Sequence, residues 1–277
     1  MRIIKMSFYI DAAAICNIGR IRDKNEDNLF FNGKVLPLDH KNLRNPYHRK
    51  FLLDKDYCFG VFDGMGGEAS GEVASYCAAS SFKNELEKTE QLPMNTRDRL
   101  AEASLNTNQK VWERSEENTE GQMGSTLAVL YFTQDQVYTC NLGDSRAFRL
   151  RDNELTQITQ DHVETLPESE KMKNRKPHLI QYLGASPEEL RLEPYIAKED
   201  IREGDQYLIC SDGLTDMVSN TDICAALKEE ADLKRCVLRL LKEALDAGGR
   251  DNITIILCRI GKRESFWERF RQQRQGE

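Results

Sequence analysis

The sequence predicts an α+β fold in which two packed layers of mostly antiparallel strands are flanked by helices. Short apolar runs, which are typical of strands, occur in blocks along the chain, and a pair of helical segments separates the first block from the next. Another helical pair lies just before a last strand-like run. Sheet-rich chains of 277 residues commonly form one domain, so we expect a single domain over residues 1–260 and a tail over residues 261–277.

Strands and helices alternate in the first half of the chain. Strands are predicted at residues 10–18, 28–32 and 57–62. A helix is predicted over residues 71–88, since apolar side chains recur every four residues there. These side chains are Ala74, Ala78, Phe82 and Leu86. A second helix is predicted over residues 96–114, with Leu100, Leu105, Val111 and Trp112 as its large apolar residues. Residues 33–56 are polar and locally basic, so we interpret them as a solvated loop insertion, with a docking surface as the alternative.

The second half begins with four strand-like runs, at residues 125–132, 137–142, 146–150 and 155–159. Short polar turns join them, which predicts an antiparallel meander. Residues 161–194 are rich in proline and charge and are interpreted as an irregular surface flap with a short helix. After a strand at residues 207–210, a helix capped by Thr221 should run to residue 230. A longer helix over residues 233–247 should end at Gly248 and Gly249, and a strand at residues 253–260 closes the sheet.

Charge and cysteine content narrow the class of protein. The chain has 39 Lys and Arg against 46 Asp and Glu, a net charge of −7, which disfavours nucleic acid as a partner. Its eight cysteines form no Cys-x-x-Cys pair and most lie in apolar runs, so we expect reduced thiols. The apolar run at residues 6–10 is cut by Asp11, and no run approaches the ~20 apolar residues of a membrane span. We therefore expect a cytoplasmic protein.

Four acidic clusters lie where strand-like runs begin or end. They occupy residues 22–27, 63–67, 211–213 and 250–252. Carboxylates at strand ends can converge, and converging carboxylates repel each other unless a hard cation lies between them. Each Asp-Gly pair alone could equally be a turn, but both lead into helical segments rather than returning strands. Together with Asp251 they predict a divalent-metal site.

The sequence disfavours two other chemistries. Five residues separate Cys16 from Arg22, and Cys140 from Arg146, which is the spacing of a thiol-nucleophile phosphatase loop. Acidic residues follow Arg22 directly, whereas a reactive thiolate needs positive surroundings, so this chemistry is disfavoured. The four histidines, His40, His48, His162 and His178, show no zinc-ligand spacing.

Six motifs, taken in order, resemble the metal-dependent protein phosphatases of the 2C type. They are Gly19-x-x-Arg22-x-x-Asn25-Glu26-Asp27, Val61-Phe62-Asp63-Gly64-Met65-Gly66-Gly67, Gly124-Ser125-Thr126, Gly143-Asp144-Ser145-Arg146, Ser211-Asp212-Gly213-Leu214 and Arg250-Asp251-Asn252-Ile253-Thr254. The resemblance covers residues 10–260 and is strongest to compact bacterial members. It implies a β-sandwich between helix layers, with a two-metal centre at one end of the sandwich.

The resemblance also implies roles for individual residues. Asp63 matches the aspartate that bridges two tightly bound Mg²⁺ or Mn²⁺ ions, and Gly64 matches the residue that lends its carbonyl oxygen. Asp212 and Asp251 match further metal carboxylates. Asp144, with Asp212, matches a third, weaker metal site. Glu26 and Asp27 match residues that hold metal-bound waters, and Arg22 matches the arginine that grips the phosphate.

The implied function is a Mg/Mn-dependent serine/threonine phosphoprotein phosphatase, in which a metal-bound water attacks the phosphate. Phosphorylated proteins are the expected substrates, with an opposing kinase as partner and a monomeric state. A catalytically silent phosphoprotein-binding relative and a switch phosphatase dedicated to one regulatory partner are the alternatives. Animal relatives have a histidine, proposed as the general acid, where this chain has Met65, and Glu68 stands where bacterial relatives often have histidine, so the general acid is unassigned.

The tail carries three aromatic residues, Phe266, Trp267 and Phe270, among four arginines. Three interpretations remain open for it: a helix docked on the domain, a frayed tail, or a short helix at a membrane surface.

Overall fold

The computed structural model describes residues 8–66, 70–117, 121–167 and 176–262. Its strands are β1 (Phe8–Asn17), β2 (Asp27–Phe31), β3 (Lys34–Val35), β4 (Tyr47–Leu52), β5 (Tyr57–Gly66), β6 (Met123–Ser125), β7 (Leu127–Phe132), β8 (Gln136–Leu142), β9 (Arg146–Arg151), β10 (Glu154–Gln157), β11 (Tyr195–Asp200), β12 (Gln206–Cys210) and β13 (Ile253–Lys262). Its helices are α1 (Gly71–Thr89), α2 (Thr96–Glu116), α3 (Asp212–Thr215), α4 (Asn220–Glu229) and α5 (Leu233–Asp246).

Within the described residues, the strands form two antiparallel sheets. The six-stranded sheet has the order β10-β9-β12-β13-β1-β4. The seven-stranded sheet has the order β11-β8-β7-β5-β2-β3, and β6 extends it by pairing with the end of β5. This arrangement confirms the predicted α+β fold with two antiparallel layers.

Three apolar clusters hold the layers together. The first lies between the two sheets and includes Phe59 of one sheet and Tyr207 of the other. The second lies between the six-stranded sheet and α4 and α5. The third lies between the seven-stranded sheet and α1 and α2, where the whole predicted stripe of α1 is buried. Because each sheet is apolar on both faces, helices are needed to cover the outer ones.

Several predicted elements need correction. Residues 33–56 are not only a loop, because they contain β3 and β4, and β4 pairs with β1 at a sheet edge. The solvent-facing run at residues 48–50 hid β4 in the sequence, although Phe51 is buried in the core. The α4 helix is capped by Ser219, whose hydroxyl accepts from the Asp222 amide, and not by Thr221. In α2, Leu105 is exposed.

The predicted meander is also divided between the sheets. β7 and β8 pair in the seven-stranded sheet, whereas β9 and β10 pair in the other. Gly143 begins the crossing with a φ of 95°, and a side chain there would collide with Thr126. The chain therefore passes from one layer to the other at the position where Asp144 stands.

The structure describes only part of the predicted flap. Residues 161–167 and 176–194 are irregular and contain no helix, and residues 168–175 are outside the described residues, so the short helix stays a prediction. Leu183 fastens the segment to the fold through two backbone hydrogen bonds with Ser125, of 2.8 and 2.9 Å. β11 follows the flap and was not predicted. Among the helices that the structure describes, none has the length and apolar character needed to cross a bilayer.

Candidate metal centre

The predicted carboxylates meet at one end of the two sheets. Asp27 begins β2 and is the ladder partner of Asp63 in β5. Asp212 follows β12, Asp251 precedes β13 and Asp144 follows β8. The strand ends enclose a cavity of about 320 Å³. Its lining includes seven of the eight predicted site residues: Arg22, Glu26, Asp63, Gly64, Asp144, Asp212 and Asp251.

Asp63 and Gly64 lie inside β5, which extends beyond the predicted strand end at residue 62. β5 continues to Gly66 because its last residues pair with β6, with Gly64 opposite Ser125. The Gly64 amide donates to the Glu26 carbonyl at 2.9 Å. A Cβ at Gly64 would lie 1.9 Å from the Gly71 carbonyl oxygen, so the close approach of the α1 N-terminus requires glycine here.

Asp63 is held in an unfavourable environment for a lone carboxylate. Burial raises the pKa of Asp63 well above its ordinary value, and the carboxylates of Asp27 and Asp144 raise it further. Its own amide donates to the Thr126 hydroxyl at 3.0 Å, which fixes the backbone but leaves the charge unbalanced. A bound cation would remove this penalty.

Asp27 lies behind the cavity wall. The Ser211 hydroxyl donates to its Oδ2 at 2.7 Å, while its buried Oδ1 has no hydrogen-bond partner. Burial raises the pKa of Asp27 to about 7, and the Ser211 hydrogen bond offsets part of the rise. Asp212 also has a buried Oδ1 without a partner. Unsatisfied buried carboxylate oxygens are costly, so both fit a site that holds a hard cation and its water.

Arg22 and Glu26 form the rim of the cavity. The Arg22 guanidinium donates to Asp251 at 2.7 Å and lies 3.5 Å from Glu26. Burial raises the pKa of Glu26, and the charge of Arg22 offsets part of the rise. The Arg22 side chain is 46% exposed, so it is close to the carboxylates and still accessible to a ligand.

Lys176 is a site residue that the sequence did not single out. Its ammonium contacts the Asp212 carboxylate and lies 3.7 Å from Asp216. Burial raises the pKa of Asp144, and Lys176 offsets part of that rise. Lys176 therefore supplies positive charge between the two residues that were matched to a third metal.

Arg22 contacts Asp251, and Lys176 contacts Asp212. Among the described residues, no three Asp, Glu, His or Cys side chains are gathered as a ready-made metal cluster. The carboxylates nevertheless line or adjoin one cavity. Asp27 and Asp212 each have a buried oxygen without a hydrogen-bond partner, and the pKa of Asp63 is raised. A divalent cation would satisfy these oxygens and stabilise the charged form of Asp63. The residues present thus fit the predicted metals.

Asn252 and Ser211 hold the acidic segments in place and were not predicted as site residues. The Glu26 amide donates to the Asn252 side-chain oxygen at 2.7 Å. The Asn252 amide group in turn donates to the carbonyls of Ile18 at 2.8 Å and Lys24 at 3.0 Å. These bonds pin residues 18–26 against the start of β13. The only sequence signal was that both residues stand beside predicted aspartates.

Burial disfavours the thiol alternative. Burial raises the pKa of Cys16 to about 12, and the charge of Asp27 adds to the rise. Burial also raises the pKa of Cys140 to about 12. Arg146, the arginine spaced from Cys140, is instead paired with Asp161 at 2.6 Å. Both thiols are therefore in surroundings that oppose their ionisation near neutral pH.

The four histidines form no zinc site, but one of them reaches the cavity. His178 lines it, is 74% exposed, and lies 4.0 Å from Glu164. Met65 also lines the cavity and cannot transfer a proton. Glu68 and Gly67 lie outside the described residues.

Comparison with known proteins identifies the family. A family model described as protein phosphatase 2C matches residues 47–247. The chain belongs to the protein phosphatase 2C family. A member from Listeria monocytogenes, serine/threonine phosphatase stp, is 32% identical over 252 residues, which cover 86% of this chain and 91% of that protein. The resemblance noted in the sequence is thereby confirmed.

This chain is also similar, in sequence and in structure, to other bacterial phosphatases. Serine/threonine protein phosphatase PstP from Mycobacterium tuberculosis is 29% identical over 261 residues, 92% of this chain but 46% of PstP, so the chain spans about half the length of that relative. The crystal structure of the PstP catalytic domain in complex with two manganese ions has a TM-score of 0.71 and 28% identity, and covers 92% of this chain and 99% of that one. A Streptococcus agalactiae phosphatase structure has a TM-score of 0.73, with 26% identity over 90% of this chain and 99% of that one.

Proposed function

We propose that the chain is a Mg²⁺- or Mn²⁺-dependent protein-serine/threonine phosphatase with one catalytic domain over residues 1–260. The observation that carries the proposal is the carboxylate cavity at the sheet ends, where Asp63 is penalised for its charge and buried oxygens of Asp27 and Asp212 lack partners. Relatives with the same family fold are named serine/threonine phosphatases, and one was crystallised with two manganese ions.

Asp63, the Gly64 carbonyl, Asp212 and Asp251 would hold two divalent cations, and Asp144 with Asp212 would hold a third more weakly. When bound, such cations supply a nucleophilic oxygen from water at neutral pH and stabilise charge on the transferred phosphoryl group. An all-oxygen ligand set favours Mg²⁺ or Mn²⁺ over zinc or copper.

The chain's own residues supply binding and orientation. Arg22 can rotate from Asp251 to grip two phosphate oxygens, since a guanidinium presents two parallel N–H donors. The Glu26 amide donates to Asn252 and the Asp27 carboxylate accepts from Ser211, and these bonds fix the two acidic residues so that their carboxylates can orient water in the cavity. Lys176 places a second cation at the flap side of the cavity, where it can contact the substrate phosphate. Among the histidines that the structure describes, His178 lines the cavity and can deliver a proton to the leaving oxygen.

We further propose phosphoserine and phosphothreonine proteins as substrates, an opposing kinase as partner, a role in signalling, and a monomeric state. The eight free thiols support a reducing, cytoplasmic location. A silent phosphoprotein-binding relative is the second candidate, although Asp63, Asp212 and Asp251, the metal carboxylates that such a relative usually loses, are all present.

The two candidates are separated by measuring phosphate release from phosphothreonine peptides. The enzyme should release phosphate with Mn²⁺ and stop in excess chelator, and Asp63→Asn should be inactive while folded. Calorimetric titration with Mn²⁺ provides a second readout, with two tight sites expected in the wild type. Tight peptide binding with no phosphate release at saturating Mn²⁺ would instead establish the silent relative.

A further inference from the structure

A second cavity, of about 770 Å³, lies at the opposite end of the sandwich from the metal centre. β5 runs between the two, since Cys58 near its start lines this cavity and Asp63 near its end lines the other. We call it the distal groove. It is defined by Asp54, Asp56, Glu87, Glu90, Arg99 and Tyr131.

The distal groove has a surplus of negative charge. Five carboxylates and three cationic side chains line it. The Tyr131 hydroxyl donates to Asp56 at 2.8 Å and contacts Glu90 at 3.4 Å. Burial raises the pKa of Glu90, and the charge of Asp56 adds to the rise. Lys83 is already engaged with Glu87 at 3.5 Å. The groove therefore favours an occupant that brings further positive charge.

Residues 263–277 carry a small surplus of positive charge. They contain four arginines against three glutamates, with Phe266, Trp267 and Phe270 among them. Arg271 and Arg274 are three residues apart, as are Glu87 in the last turn of α1 and Glu90 at its C-cap. Residues 263–277 lie outside the described residues, but the place where they leave the fold is described.

The chain leaves the fold beside the distal groove. β13 ends at Lys262, which is the ladder partner of Phe8. The Phe8 carbonyl accepts from the Leu53 amide at 2.9 Å, and the next residue, Asp54, lines the groove. Arg271 and Arg274 are nine and twelve residues beyond Lys262, and such lengths span about 14–18 Å as a helix or about 30–43 Å when extended. The exit of the chain beside Asp54 therefore allows these arginines to approach the groove.

We propose that residues 263–277 dock in the distal groove of the same chain, with Arg271 and Arg274 paired to Glu87 and Glu90. Arginine and carboxylate can pair through two parallel hydrogen bonds, which fixes the register. The aromatic residues of the segment then cover the rim of the groove. This docking fastens the end of the segment far from the metal centre, so it leaves the catalytic cavity open and does not depend on the proposed activity.

Trp267 is a reporter for this docking. The chain has two tryptophans, so Trp112→Phe leaves Trp267 alone. In full-length Trp112→Phe protein we expect Trp267 to have blue-shifted emission and to be shielded from acrylamide. Adding Glu87→Lys and Glu90→Lys should red-shift the emission and raise the quenching constant severalfold, because two ion pairs become repulsions.

Charge reversals in the segment, alone and combined with those in the groove, test whether the two contact each other. Arg271→Glu with Arg274→Glu does not alter the described fold and should expose Trp267 in the same way. Combining these two changes with the two groove reversals should restore shielding, since the pairs are exchanged. Glu188→Lys with Glu189→Lys is the matched control, because it changes the net charge equally at an exposed turn and should leave Trp267 shielded.

Three results would overturn the proposal. The first is that acrylamide quenches Trp267 in the Trp112→Phe protein as strongly as it quenches a fully exposed tryptophan. The second is shielding that depends on protein concentration, which would assign the contact to a second copy of the chain. The third is that Glu87→Lys with Glu90→Lys leaves the emission of Trp267 unchanged, whereas phosphatidylglycerol vesicles shift it. That result would make the segment a membrane-binding one.

Discussion

Replacing Asp27 by asparagine should make the stability of the metal-free protein less dependent on pH. Asp27 is 1% exposed, and asparagine keeps its size and can still accept the hydrogen bond from Ser211. The substitution removes the charge without opening a cavity. Its effect on stability therefore reports the ionisation of this one carboxyl group.

The size of the effect follows from the raised pKa. Burial raises the pKa of Asp27 from an ordinary 3.8 to about 7 in the folded chain. An acid with a raised folded-state pKa binds its proton more tightly when folded, so stability is lost as pH rises from near 4 to near 7 and is constant above. The whole loss is on the order of 4 kcal/mol, of which about 3 kcal/mol falls between pH 5 and pH 8.

Urea unfolding in excess chelator, at pH 5 and pH 8, measures this loss. The wild type should lose about 3 kcal/mol more than Asp27→Asn between the two pH values. The control is Asp23→Asn, an exposed aspartate four residues earlier, which should behave as the wild type. Equal pH dependence in wild type and Asp27→Asn would refute the reasoning and move the proton uptake to another group, such as Asp63.

Four further outcomes are expected. Asp63→Asn should lower turnover of a phosphothreonine peptide by on the order of 100-fold or more, while Cys16→Ser leaves it unchanged; an inactive, folded Cys16→Ser protein would revive the thiol mechanism. Arg22→Ala should raise the Michaelis constant about 10- to 100-fold by steady-state kinetics, and unchanged kinetics would remove it from the site. Asp144→Ala should leave two tight Mn²⁺ sites in calorimetry but blunt the rise of activity at high Mn²⁺; an unaltered metal dependence would make it a turn residue. His178→Ala should slow the peptide roughly 100-fold but spare p-nitrophenyl phosphate, whose leaving group needs no proton, and equal effects on both would exclude proton transfer.

The metal carboxylates were visible in the sequence because their signal is local. Asp63, Asp212 and Asp251 each lie in or within two residues of a buried, mostly apolar strand segment, and such segments are buried whichever strands they pair with. An antiparallel sandwich then places the ends of several strands at one rim. The sequence could therefore predict that these residues meet, without the strand order.

Other features depend on contacts that no local pattern reports. Ser211 reaches Asp27 across 184 positions, and Asn252 reaches Glu26 across 226. The crossing from β8 to β9 is also nonlocal, since a glycine turn looks the same whether the next strand joins the same sheet or the other one. β4 was missed because three of its six residues are exposed in succession, which breaks the alternation expected of a strand.

The backbone of the site is fixed by groups other than the carboxylates. Asn252 ties residues 18–26 to β13, and Gly64 lets that segment and the start of α1 approach β5. These backbone contacts hold the carboxylates together despite their mutual repulsion. Substituting a carboxylate should therefore leave the fold intact. Gly64→Ala, by contrast, would push a methyl group into the Gly71 carbonyl, and because packed backbone cannot shift cheaply, it should damage folding and metal binding together.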